Sequence, residues 1–203
     1  GEAGVRIPPE RYLRQVRDIC SRRDVLLCLD EIQTGLGRTG KMFCADHEGV
    51  QPDVFILGKA LSGGLYPVSA VTSGQDVLGL FEPGTHGSTY GGNPLACAVA
   101  MAALDVIEEE NLPARAAELG EYFLGRVKTL RHPKLKEVRG RGLLIALEFA
   151  EPSARALCEI LARHGLLAKD THETTVRLAP PLVISRGEID EALVALKAAL
   201  AEL

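Results

Sequence analysis

Two short apolar runs, each stopping at a charge, constrain this chain more than any other feature. Val25-Leu26-Leu27-Cys28-Leu29 ends at Asp30-Glu31, and Val54-Phe55-Ile56-Leu57 ends at Gly58-Lys59. Uninterrupted apolar runs of this length fit parallel strands buried on both faces. Asp30 and Lys59 lie 29 residues apart, about the length of one strand–crossover–strand unit, so an acid and an amine are expected at one end of one sheet. Ligands of open α/β sheets bind outside the carboxyl ends of the strands. Either charge alone reads more readily as a solvated loop residue.

The rest of the chain continues in α/β order. Tyr12, Leu13, Val16, Ile19 and Cys20 recur at helical spacing between Pro9 and Arg23. Val68–Thr72 reads as a third strand, and a helix is expected from about Leu95 to Glu110, after Gly91-Gly92-Asn93-Pro94. A further helix carries Leu119, Phe123, Val127 and Leu130 on one face. Beyond it, strands are expected at Leu143–Phe149, Leu166–Lys169 and Val176–Ala179, with a helix over Ser153–His164. Gly140-Arg141-Gly142 reads as a tight turn into the first of these strands. Ser185-Arg186-Gly187-Glu188 is a capping-box pattern opening a last helix striped by Ile189, Leu193, Leu196 and Leu200. The expected division falls within Asn111–Pro133, giving residues 1–110 as part of a larger α/β domain and 111–203 as a linking helix and a small α+β domain.

Composition narrows the function. With 23 basic and 27 acidic residues, net charge −4, no basic field serves nucleic acid or an anionic membrane. No apolar run reaches the roughly 18 residues needed to span a bilayer. The five cysteines form no CxxC pair and read as reduced, mostly packed thiols, suiting an intracellular setting. The five histidines show no ligand spacing, so no metal is expected.

Lys59 lies in Leu57-Gly58-Lys59-Ala60-Leu61-Ser62-Gly63-Gly64, whose glycines allow backbone to approach a flat ligand. A partly desolvated amine becomes nucleophilic, as Schiff-base chemistry requires. Asp30 could then keep a ring nitrogen protonated, making the ring an electron sink. These motifs, Leu29-Asp30-Glu31-Ile32-Gln33-Thr34-Gly35-Leu36-Gly37-Arg38-Thr39-Gly40 and Gly58-Lys59-Ala60-Leu61-Ser62-Gly63-Gly64, resemble those of the fold-type I, pyridoxal-phosphate-dependent ω-aminotransferases. Gly1-Glu2-Ala3-Gly4-Val5, Leu65–Ala70, His86–Leu95 and Leu166-Leu167-Ala168-Lys169 are most similar to the ornithine-using branch.

The resemblance covers essentially the whole chain and implies the following. The fold is α/β, part of a mostly parallel large-domain sheet followed by a small α+β C-terminal domain. Lys59 carries pyridoxal 5′-phosphate covalently and moves the proton. Asp30 binds the pyridine nitrogen, and Gln33 the phenolic oxygen. Ser88 and Thr89 reach the cofactor phosphate of the other subunit, so the active sites are shared in a homodimer. Arg177 clamps a substrate carboxylate, and Glu2 pairs with Arg177 until the second substrate needs it. The reaction moves the δ-amine of L-ornithine to 2-oxoglutarate, giving L-glutamate 5-semialdehyde and L-glutamate on the route to proline. The cytoplasm and the mitochondrial matrix are both open.

Close alternatives are acetylornithine and 4-aminobutyrate aminotransferases, which would share Lys59, Asp30, Gln33 and Thr89. A distant one is a dinucleotide-binding oxidoreductase using the G-x-G-x-x-G spacing of Gly35, Gly37 and Gly40. With about three strands of a seven-stranded sheet, the residues are also expected to be a portion of a longer polypeptide, neither soluble nor active alone.

Overall fold

A computed structural model describes all 203 residues. The chain divides into two compact units. The first comprises Pro8–Gly37 and Lys41–Leu112, and the second Gly1–Ile7, Arg38–Gly40 and Pro113–Leu203. One boundary between them falls between Leu112 and Pro113. However, two segments expected with the first 110 residues, Gly1–Ile7 and Arg38–Gly40, belong to the second unit.

In the first unit, α1 (Tyr12–Arg22) leads into β1 (Cys28–Asp30), β2 (Val54–Leu57) and β3 (Ala70–Ser73), followed by the single turn α2 (Gln75–Leu78) and by α3 (Pro94–Glu109). The sheet order is β1-β2-β3. The β1–β2 ladder is parallel, with Asp30 opposite Ile56. β3 runs antiparallel to β2, with Leu57 opposite Ala70, so one of the two ladders has the expected parallel sense. Asp53 anchors the entry to this sheet: its Oδ2 accepts from Leu27 N–H and from Arg17 Nη1, both at 2.6 Å. The Leu27 amide first and the Arg17 guanidinium next hold the Asp53 carboxyl below the usual carboxylate range.

The expectation that the Val25–Leu29 strand is buried on both faces is corrected. The strand begins only at Cys28, and Val25 and Leu26 are each 55% exposed. β2 sits between two neighbours and buries Val54, Phe55 and Leu57, whereas β1 is an edge. Apolarity alone cannot tell these positions apart. α3 starts where Asn93 Oδ1 accepts from Ala96 N–H at 2.9 Å. It buries only Ala96 and Ile107, leaving Leu95 and Met101 exposed.

The second unit contains α4 (Leu112–Val127), β4 (Leu135–Arg141), β5 (Leu144–Phe149), α5 (Ala154–Arg163), β6 (Lys169–Thr171), β7 (Thr175–Leu178) and α6 (Arg186–Glu202). Its antiparallel sheet has the order β4-β5-β7-β6. All six residues of β5 are buried, as is the predicted α6 stripe of Ile189, Leu193, Leu196 and Leu200. The capping box forms, with Ser185 Oγ accepting from Glu188 N–H and Glu188 Oε2 accepting from Ser185 N–H.

Three local expectations are corrected. Gly140 and Arg141 belong to β4, and the two-residue turn is Gly142-Leu143, with Gly142 at φ +56°. β6 starts at Lys169, and Leu167 is exposed. Of the cysteines, only Cys158 is buried, and burial pushes its thiol up to about 11. The Arg38 guanidinium is half-buried against the same unit, donating to the carbonyls of Leu143 and Pro180. No helix is long and apolar enough to cross a membrane.

Candidate active site

The β1–β2 ladder delivers Asp30 and Lys59 to the same end of the first unit's sheet. Asp30 closes β1, and Glu31 N–H continues the ladder by donating to Ile56 O at 3.0 Å. Lys59 follows Gly58 immediately after β2 and opens a 3-10 turn, Lys59–Ser62. Gly58 faces the Asp30 loop, since a Cβ placed on it would stand 3.5 Å from Ile32 Cγ2. Lys59 adopts φ +45°, a left-handed backbone that a residue with a side chain takes up at a cost of about 1–3 kcal/mol and that recurs at functional sites.

Asp30 Oδ1 accepts from Ile32 N–H at 3.0 Å, which fixes the rotation of the carboxylate. Both Asp30 and Lys59 are exposed in this chain. Gln33 is half-buried in the same loop.

Glu31 is the residue that sequence reasoning passed over here. It is buried and accepts from Thr34 Oγ1 at 2.6 Å, Cys44 N–H at 3.0 Å and Ala45 N–H at 2.9 Å. These bonds pin the loop that begins at Asp30. The same loop argues against dinucleotide binding: after Gly35, Gly37 and Gly40 comes a 3-10 turn, Cys44–His47, rather than an α-helix whose first turn could receive a pyrophosphate.

Ser88 and Thr89 lie on an exposed loop ahead of α3 and make no hydrogen bond to Asp30 or Lys59. Ser88 Oγ accepts from Gly91 N–H at 2.9 Å, a local turn that holds the loop in shape.

The second unit brings together the other predicted pair. Arg177, between the buried Val176 and Leu178 of β7, donates from Nη1 to Glu2 Oε1 at 2.8 Å. The arginine side chain is 15% exposed and the glutamate 71%. Thr171 Oγ1 on neighbouring β6 also donates to the Glu2 carbonyl at 2.7 Å. The acid is therefore the more solvated partner of a largely covered guanidinium.

The donor set suits pyridoxal phosphate. A carboxylate fits a protonated ring nitrogen, an amine fits an aldehyde, and an amide and hydroxyls fit phenolic and phosphate oxygens.

Comparison with known proteins agrees. The family model for class-III aminotransferases matches residues 1–200. Ornithine aminotransferase 2 of Staphylococcus saprophyticus is 58% identical over 193 residues, 95% of this chain and 48% of that protein. The crystal structure of acetylornithine aminotransferase from Elizabethkingia anophelis superposes with a TM-score of 0.96 at 48% identity, covering 100% of this chain and 52% of that one. Ornithine aminotransferase from Toxoplasma gondii, described with partial occupancy of PLP at its active site, gives 0.95 at 44% identity, covering 100% and 49%. The chain thus spans about half the length of the curated relatives it matches. By family model, identity and fold together, this chain belongs to the class-III aminotransferases.

Proposed function

We propose that this chain supplies the Asp30–Lys59 and Glu2–Arg177 halves of an ornithine aminotransferase, an enzyme that moves the δ-amino group of L-ornithine to 2-oxoglutarate through pyridoxal phosphate (PLP). Class-III aminotransferases are PLP enzymes. When bound, the cofactor supplies an electron sink and a temporary seat for the amino group. Asp30 would keep its ring nitrogen protonated, Gln33 would donate to its phenolic oxygen, and Lys59 Nζ would tether it. Once displaced by substrate, Lys59 Nζ would carry the proton between substrate and cofactor carbons.

The observation that carries the ornithine reading is the Glu2–Arg177 ion pair. Ornithine must present its terminal amine, whereas 2-oxoglutarate must present the carbon beside its carboxylate. With Glu2 on Arg177, an α-carboxylate finds no cation, so the terminal amine enters. With Glu2 displaced, Arg177 takes the carboxylate of the oxo acid in two parallel hydrogen bonds.

The products are L-glutamate 5-semialdehyde and L-glutamate. A homodimer fits the exposed Leu80, Phe81, Tyr90, Leu95 and Met101 of the first unit, with Ser88 and Thr89 serving the partner's phosphate. The Elizabethkingia relative favours a second reading, an acetylornithine aminotransferase.

Borohydride reduction of the full-length holoenzyme followed by peptide mapping should label Lys59, and Lys59→Ala should be colourless and inactive. Semialdehyde formation should be faster from free ornithine than from N-acetylornithine. Transamination by the colourless variant would refute the reading, and the reverse substrate order would select the second.

A further inference from the structure

The Gly1–Ile7 segment that presents Glu2 is held by a buried polar network with no part in the chemistry above. Gly4 and Val5 adopt consecutive left-handed conformations, φ +89° and +52°. For β-branched Val5 this is a strained backbone, of the kind that persists only where its surroundings enforce it. Both carbonyls are received by one side chain: Arg139 Nε donates to Gly4 O and Val5 O at 3.0 Å each, and Nη2 donates to Gly4 O at 2.6 Å. Its remaining nitrogen, Nη1, donates to Glu148 at 2.6 Å and Glu137 at 2.7 Å. Glu148, itself buried on β5, also accepts from Lys136 at 2.8 Å and pairs with Arg6 at 2.9 Å. The Val5 side chain packs against Leu144 and Ala146.

We propose that Arg139, braced by Glu148, is a positioning residue for substrate selection: by fixing the Gly4 and Val5 carbonyls it sets where the Glu2 carboxylate meets Arg177. The proposal rests on the Glu2–Arg177 reading above and goes beyond it. The Glu2 side chain is 71% exposed, so the place of its carboxylate on Arg177 depends on the backbone that carries it, which Thr171 holds at the Glu2 carbonyl and Arg139 at Gly4 and Val5. A guanidinium suits this task, because its planar fork can serve two carbonyls on one edge and a carboxylate on the other. Lysine, a point charge, cannot do both.

The test uses the full-length holoenzyme and the ratio of kcat/KM for L-glutamate, which enters by its α-amine, to that for L-ornithine. Glu2→Ala should raise this ratio on the order of tenfold, the scale of one charge-assisted hydrogen bond. Arg139→Gln should raise it comparably. The Glu2→Ala/Arg139→Gln double variant should rise no further, because both act through one carboxylate. Arg139→Lys, which keeps the charge beside Glu148, should shift the ratio as Arg139→Gln does. In both Arg139 variants, backbone hydrogen exchange in residues 1–7 should quicken.

A ratio unchanged in Arg139→Gln, with both donors slowed alike, would overturn the proposal. If that variant fails to fold, an unchanged ratio in Arg139→Lys overturns it. Additive effects in the double variant also overturn it. An unchanged ratio in Glu2→Ala would instead remove the gate reading beneath it.

Discussion

Replacing Glu148 by glutamine removes one charge from a site where three cations converge. The Lys136 ammonium first, then the Arg139 and Arg6 guanidinium groups, hold the Glu148 carboxyl down to about 2 from its ordinary 4.5, against the opposing effect of burial. A carboxyl whose folded pKa is depressed contributes stability that is complete above its unfolded value and fades as pH falls toward the folded one. At about 1.4 kcal/mol per unit, the depression corresponds to about 3 kcal/mol at pH 7 and about 1 kcal/mol at pH 3. Glu148→Gln should therefore lower the unfolding free energy of the full-length protein by about 3 kcal/mol at neutral pH. Between pH 4.5 and 2 the gap between wild type and variant should close. Urea titrations of both proteins at pH 7, 5, 4 and 3 measure it. A gap that stays constant down to pH 3, or one below about 1 kcal/mol at pH 7, would show that the network does not act as an ion cluster.

Gly120→Ala should destabilise, because a Cβ there would stand 2.3 Å from the carbonyl carbon and oxygen of Gly142 in the β4–β5 turn. Backbone cannot yield as a side-chain tip can, so a loss of about 1–3 kcal/mol is expected, read as a drop in the thermal midpoint. Ser185→Ala should cost about 1 kcal/mol by removing the acceptor for Glu188 N–H. Ser185→Asp should restore most of it in the same urea titration.

What could be read from the sequence was what neighbours along the chain decide. The Ser185/Glu188 capping box and the α6 stripe need only a few residues of context. β2 announced itself as an apolar run because it lies between two partners. β1 carries an equally apolar run, and among these residues it pairs on one side only, with β2. The alternation of β4 is diluted by Lys136, Glu137, Arg139 and Arg141, of which Glu137 and Arg139 pair with each other.

Asp30 and Lys59 were legible from their strand ends. Glu2 and Arg177 were legible only through family resemblance, since no local pattern joins residues 175 positions apart. Arg139 and Glu148 were missed, although one acid within the buried strand Leu144–Phe149 was a signal that a buried cation would be found beside it.

The assembly of the second unit from separate stretches also bears on how the protein is made. Glu2 emerges from the ribosome 175 residues ahead of Arg177. At typical elongation rates that is a wait of roughly 10–35 seconds. Val5 gains β5 only once Leu144 and Ala146 have been made, and Arg38 waits 142 residues for the carbonyl of Pro180. The Gly1–Ile7 segment therefore gains its full set of partners only when the last strands of the second unit have been synthesised.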